Sequence, residues 1–295
     1  MKKPLIILTG PTAVGKTRLS ISLAHAADGE IISADSMQVY RHMDIGSAKI
    51  TKEEMDGIPH YLIDVLDPRE EFHVVRFQQM AKEAMDKIYA KGKIPILTGG
   101  TGFYIQAVVK DIDFSEDTEK SPVRQRLEQE AQEKGSAWMH RISEHNEREA
   151  EKTSPYNTAY FVLNDDREKL YLRIDRRVDE MLDAGLIQEV QDLKNMGYTK
   201  NMVSMQGLGY KEILSWLDGE ITLEEAVYIL KRDTRHFAKR QLTWFRREKD
   251  VIWVNKPEFS YNEDAILEYM LKICKERGIC DAGNECSVPG TGNQQ

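Results

Sequence analysis

The chain has 295 residues, 41% hydrophobic and 31% charged, a balance that excludes both an intrinsically disordered protein and a membrane-embedded one. No stretch approaches the ~20 consecutive apolar residues needed to span a bilayer. Three cysteines (Cys274, Cys280, Cys286), with no CxxC pair or zinc-spaced histidines, exclude a disulfide framework, and the net charge of −8 argues against a general nucleic-acid binder.

In chain order, MKKPLIILTG has the two lysines and apolar run of a signal peptide, but the run ends within about half a dozen residues in a glycine loop. It therefore reads as a buried first strand, and the chain is expected in the cytoplasm. GKTRLSISLAHAA carries apolar residues at helical spacing, GEIISAD is a second strand, and VVRFQQMAKEAMDKIYAKG is a helix closed by a cap at Gly92. IPILTGG is a third buried strand, after which Thr101-Gly102-Phe103-Tyr104 opens another helix. From Asp111 to Thr153 the composition turns highly charged with helical periodicity. TAYFVLN then resumes the strand pattern, and residues 166–197 form a long helix or helix pair. TLEEAVYILKRDTRHFAKRQLTWFRREKD is a long helix with an acidic first turn and a basic last turn, and VIWVN is a last strand.

Strand alternating with helix predicts an α/β fold: a P-loop core with a mostly parallel sheet flanked by helices, plus a smaller all-helical insertion domain. The core is expected over residues 1–110 and 154–278, the insertion over 111–153, and a disordered tail over 279–295.

The strongest chemical signal is Gly10-Pro11-Thr12-Ala13-Val14-Gly15-Lys16-Thr17, a G-x-x-x-x-G-K-T pattern between a predicted strand and a predicted helix. Glycines let the backbone curl so that its N–H groups face phosphate oxygens, and the helix N-terminus adds partial positive charge. Lys16 would neutralise terminal phosphate charge, and the Thr17 hydroxyl is placed for Mg²⁺. Asp35 follows the second strand, at the end of the sheet where ligands sit. There it could orient a metal-bound water, act as a general base, or simply cap a turn. Thr101, after the third strand and beside Gly99 and Gly100, could bond a phosphate or a substrate oxygen.

The local exception to the acidic balance runs from Lys231 to Lys249, where eight basic residues face two acidic ones. At 100° per residue, Arg232, Arg235, Lys239 and Arg246 fall within about 60° of one another. Leu230, Phe237, Ala238, Leu242, Trp244 and Phe245 lie opposite, so the helix has a dry face and a cationic face suited to phosphates.

GPTAVGKT, SADSMQVYRHMDIGSAK, HYLIDVLDP, LTGGTGFY, GLGYKE and FAKRQLTWFRREKDVIWV resemble, in this order, the tRNA dimethylallyltransferase (tRNA isopentenyltransferase) family, over about residues 4 to 255. In that family the P-loop holds dimethylallyl diphosphate instead of ATP, and the prenyl group passes, with Mg²⁺, to N6 of adenosine 37 beside the anticodon. The resemblance implies that Asp35 is the general base on N6, and that Ser36, Met37 and Gln38 line a flipped-out base. It places Thr101 near the transfer site, and Lys16, Thr17 and Arg235 on the diphosphate. It implies tRNA contacts for Arg124 in the insertion and for Arg240, Gln241, Leu242, Thr243, Trp244 and Phe245. The insertion would grip the anticodon stem, and the enzyme would work as a monomer. One stretch departs from the pattern: NEREAEKTSPYN runs across the point where members carry an HPxNxxR-type segment and its helix. The rival from another class is a small-molecule kinase using ATP on the same loop, although no adenine pocket is legible.

Overall fold

The computed structural model describes residues 2–114 and 153–280. Six strands form one sheet: β1 (Pro4–Thr9), β2 (Gly29–Ala34), β3 (His60–Tyr61), β4 (Ile94–Gly99), β5 (Asn157–Asn164) and β6 (Ile252–Asn255). Their order is β3-β2-β4-β1-β5-β6 and every pairing is parallel. The reason lies in burial: β1 is apolar almost throughout, and β1 and β2 are buried at nearly every position, so both faces must be covered by helices.

Those helices are α1 (Lys16–Ala26), α2 (Val74–Ala90), α3 (Gly102–Val109), α4 (Arg167–Asp183), α5 (Leu186–Asn195), α6 (Tyr210–Leu217), α7 (Leu223–Phe245) and α8 (Glu263–Glu276). Leu5 and Ile7 point into a core with α2, α3, α5, α6 and most of α7, whereas Ile6 and Leu8 pack against α1, α8 and the start of α4. From β1 the chain runs to β2 and β3 at one edge, returns to β4 beside β1, and then continues to β5 and β6 on the other side, a reversal that opens a crevice at the carboxyl ends of the strands. The P-loop after β1, the Asp35 turn after β2 and Gly100–Thr101 after β4 all converge there.

Of the two alternatives for residues 166–197, the structure takes the helix pair, broken at Ala184–Gly185, where Gly185 takes φ 102°. Elsewhere the sequence reading needs correction. The short β3, α6 and α8 were not anticipated, and α8 buries Ile266, Met270 and Cys274 in the core. α7 begins with the expected acidic turn and a Thr222–Glu225 capping box, but it ends at Phe245. Its last turn therefore holds no basic residue, and Arg246, Arg247 and Lys249 lie just beyond. Ile112 is 2% exposed, its carbonyl held by Gln78, and Ile279 is 5% exposed, so the core extends slightly past both expected boundaries. The rest of the expected insertion, Arg124 included, and residues 281–295 lie outside the described residues. Among the described residues no helix is long and apolar enough to cross a membrane.

Candidate active site

The P-loop is shaped by three positive-φ residues, Gly10 (146°), Ala13 (61°) and Gly15 (98°). At Gly10 a Cβ would lie 2.5 Å from the Leu163 carbonyl oxygen, so no other residue fits. Gly15 is the N-cap of α1. No side chain caps this helix and its first turn has no acid, which leaves its amides for an anion. Thr12, Ala13, Gly15, Lys16 and Thr17 line a cleft of about 460 Å³, while Gly10, Pro11 and Val14 are buried behind them.

The loop is held from several sides. Lys16 Nζ donates to the carbonyls of Gly10 (3.0 Å) and Pro11 (2.8 Å). Arg173 Nε donates to the Ala13 carbonyl at 3.0 Å and ion-pairs Asp165, and Lys256 Nζ donates to the Val14 carbonyl at 3.2 Å. Burial, and then the neighbouring Arg177 guanidinium, push the Lys16 amine down to about 7, with Asp35 opposing. An anion in the cleft would reverse that balance and hold the lysine charged.

Across the cleft, Asp35 takes one of its expected alternatives, the turn cap, and also stands in the cleft wall. Its Oδ1 accepts from the backbone N–H groups of Met37 (2.8 Å) and Gln38 (3.4 Å), so it caps the turn, and the residue also lines the cleft. Oδ2 takes no part in the turn. Gln38 lines the same wall, its amide fixed by Ser33 Oγ and by the carbonyls of Ser47 and Ala48. Gly99 brings β4 so close to Ala34 that a Cβ there would overlap the Ala34 carbonyl. This close approach lets the Thr101 N–H bond the Ala34 oxygen at 3.2 Å, placing Thr101 beside Asp35. Gly100, rather than Thr101, lines the cleft.

The arginines differ from expectation. Arg235 is held by Asp175 of α4 and does not line the cleft. The cleft instead receives Arg173, Arg176 and Arg177 from α4, together with Glu180 and, from α7, Phe237. Arg176 is braced by Glu180 at 2.8 Å. With Lys16, four cations face the two carboxylates Asp35 and Glu180, a surplus that suits a diphosphate. The i, i+3, i+4 spacing of Arg173, Arg176 and Arg177 was a readable signal that these side chains share one helical face.

The span Arg240 to Phe245 divides. Phe245 is fully buried, so its side chain cannot reach RNA, contrary to the expectation, while Leu242 is partly buried and packs against the second core. Gln241 is 6% exposed and turned inward: its Oε1 accepts from Thr12 N–H at 2.8 Å and its Nε2 donates to the Gly100 carbonyl at 2.9 Å. It clasps the P-loop to the loop after β4. Trp244 packs against Gly102 and, edge-on, against Phe103. Arg240, Thr243 and Trp244 line a second, cationic cleft of about 450 Å³ with His236, Lys239 and Arg247.

For a metal, Thr17, Asp35 and Glu180 offer hard oxygens in one cleft, the donor type that suits Mg²⁺. Among the described residues no group of three or more His, Cys, Asp or Glu could hold a metal unaided. A cation here would therefore share its coordination with substrate phosphate oxygens, the usual arrangement for Mg²⁺.

Comparison with known proteins matches the IPP transferase family model over residues 38–150 and 139–248. The chain is 57% identical to the tRNA dimethylallyltransferase of Lachnoclostridium phytofermentans, over 94% of this chain and 99% of that one. It is 46% identical to the tRNA dimethylallyltransferase of Acetivibrio thermocellus, over 90% and 97%. The first alignment is 312 positions long although this chain has only 295 residues, so the relative carries residues without a counterpart here. This agrees with the missing HPxNxxR-type stretch. Among solved structures, the tRNA isopentenylpyrophosphate transferase of Bacillus halodurans aligns with TM-score 0.78 at 40% identity, covering 94% of this chain and 98% of that one. A eukaryotic dimethylallyltransferase acting on tRNA aligns with TM-score 0.76 at 26% identity, covering 97% and 82%.

Proposed function

The chain belongs to the IPP transferase family, and from that premise we propose that it transfers a dimethylallyl group from dimethylallyl diphosphate to N6 of adenosine 37 in tRNA. The observation that carries the reading is the single cleft joining a P-loop with surplus cations to the carboxylate of Asp35. One wall fits a leaving diphosphate and the other a proton acceptor for an incoming amine. We take the enzyme to work as a monomer in the cytoplasm.

In the transfer, the N6 lone pair forms a C–N bond to the allylic carbon while the C–O bond to diphosphate breaks. The bond electrons and the growing negative charge pass to the diphosphate. Inward P-loop amides, Lys16 and the α4 arginines are already in place around that charge, so little reorganisation opposes the step. The proton lost from N6 goes to Asp35 Oδ2, while Oδ1 stays in its turn. Thr101, beside Asp35, is assigned to substrate contact near the transfer point. Mg²⁺, when bound by Thr17 and diphosphate oxygens, would supply further charge neutralisation.

An ATP-dependent kinase reading is set aside because the 57% and 46% identical relatives are tRNA dimethylallyltransferases. The test is mass spectrometry of an anticodon stem-loop incubated with the protein, Mg²⁺ and dimethylallyl diphosphate. One five-carbon unit is expected on adenosine 37, and Asp35→Asn should slow the transfer by on the order of 10²–10⁴. ATP consumption with phosphate on another acceptor, and no prenyl gain, would refute the reading.

A further inference from the structure

The turn that carries Asp35 is supported from outside the cleft by Glu189, Gly207 and Tyr210, none of which lines it. Asp35 Oδ1 fixes the backbone of Met37 and Gln38, but their side chains are fixed elsewhere. Gln38 hangs from the carbonyls of Ser47 and Ala48 at 3.4 and 3.2 Å. The segment just before those carbonyls curls its N–H groups around one carboxylate. Asp44 and Ile45 donate to Glu189 Oε2 at 2.8 and 2.7 Å, and Gly46 donates to Oε1 at 3.0 Å. Tyr210 completes the arrangement by donating its hydroxyl to Oε1 at 2.8 Å, and its ring lies against Gly46 so closely that a Cβ there would overlap it. Three successive amides converging on a carboxylate form an anion-binding nest, here filled from within the protein by α5. Met37 is placed by the same half of the molecule. Its thioether lies over Gly207, where an added Cβ would overlap the terminal methyl and come 3.1 Å from the sulfur.

We propose that Glu189 and Gly207 are positioning residues for the acceptor base, setting Gln38 through the loop at residues 44–48 and Met37 by direct contact. This rests on the reading of the Asp35 turn as the acceptor side of the cleft. These contacts reach the acceptor wall of the cleft through Gln38 and Ser47, and none of them is made to a P-loop residue, so the larger effect is expected on the acceptor side. Misplacing a reacting group by about 1 Å can cost on the order of 10²-fold in rate, which sets the scale expected when the turn shifts.

The experiment compares wild type, Glu189→Gln, Tyr210→Phe and Gly207→Ala by steady-state transfer, varying dimethylallyl diphosphate and stem-loop RNA separately. Wild-type transfer establishes the underlying reading independently of the variants. Glu189→Gln keeps the shape but weakens the nest. It should lower kcat/KM for the RNA by roughly 10–100-fold, with the donor KM within about twofold of wild type. Tyr210→Phe should shift the same parameter in the same direction by less. Gly207 has φ in an ordinary region, and its overlap is with the flexible end of Met37, so Gly207→Ala displaces a side chain and not the backbone. Measured against the Met37→Ala single variant, adding Gly207→Ala should cost little further RNA kcat/KM, a coupling that a general folding defect would not produce. Equal losses for donor and RNA, wild-type behaviour of both Glu189→Gln and Gly207→Ala, or a Gly207→Ala cost that is unchanged in the Met37→Ala background would overturn the proposal.

Discussion

Replacing Gln241 by leucine separates two roles that a residue of α7 could have. Leucine fills nearly the same volume, so the change removes polar contacts without opening a large cavity. Two neutral hydrogen bonds disappear, one from Thr12 N–H and one to the Gly100 carbonyl. Each contributes about 1 kcal/mol net, and each buried backbone group left without a partner adds a desolvation cost of about 1–3 kcal/mol. Some of that cost is relieved because Thr12 is only half-buried and can turn toward water. The expected destabilisation is therefore about 2–4 kcal/mol, read as a lower urea midpoint at unchanged slope. Because the clasp holds the P-loop against the loop after β4, the KM for dimethylallyl diphosphate should rise by on the order of tenfold, the equivalent of about 1.4 kcal/mol. The KM for RNA should stay within about twofold. A stability loss below about 0.5 kcal/mol, within the range of an ordinary surface change, would refute the clasp. A rise in the RNA KM alone would return Gln241 to the RNA contact that the family resemblance implies.

Lys16, held down to about 7 in the free protein, should regain its proton when diphosphate binds. Above that value the free amine is mostly neutral and the bound one charged, so binding takes up a proton and affinity falls as pH rises from about 7 toward 10. Calorimetry in buffers of different ionisation enthalpy checks the uptake, and a pH-independent affinity over that range would contradict it. On the cationic cleft, neutralising Arg240 and Arg247 should reduce the slope of log K against log salt for RNA binding by roughly 0.7–0.9 per lost phosphate contact. An unchanged slope would mean that this face is merely solvated.

The parts of the site that were legible in the sequence are those fixed by local rules. Gly10 and Gly15 need positive φ whatever surrounds them, and a strand followed by that loop and a helix leaves one arrangement. Asp35 could be read as base or as cap because its position permits both, and the structure assigns the capping role to one of its two oxygens. The failures are non-local. Helical periodicity sorts α7 into wet and dry residues and places Leu242 and Phe245 correctly on the dry side. It has no category for Gln241, a polar side chain turned inward to satisfy backbone groups more than a hundred residues away. Nor could local sequence show that Asp175 would capture Arg235, or that Asp179 would capture Lys231, since both pairings depend on how α4 lies against α7.

That packing has a consequence for how charge is divided between the two substrates. One face of α4 turns Arg173, Arg176 and Arg177 into the diphosphate cleft, while Asp175 and Asp179 neutralise Arg235 and Lys231 of α7. The cations of α7 that form no ion pair among the described residues, Lys239 and Arg240, lie toward its C-terminal end and line the second cleft with Arg247, just beyond the helix. The basic run that reads as a single patch in the sequence is thus partly cancelled and partly displaced. On the proposed function, the donor anion would be met by α4 and the P-loop, and the polyanionic acceptor by the end of α7. A small diphosphate and a large RNA can then be attracted to different surfaces without competing for the same arginines, and only the prenyl carbon and the amine need meet, between the P-loop and Asp35.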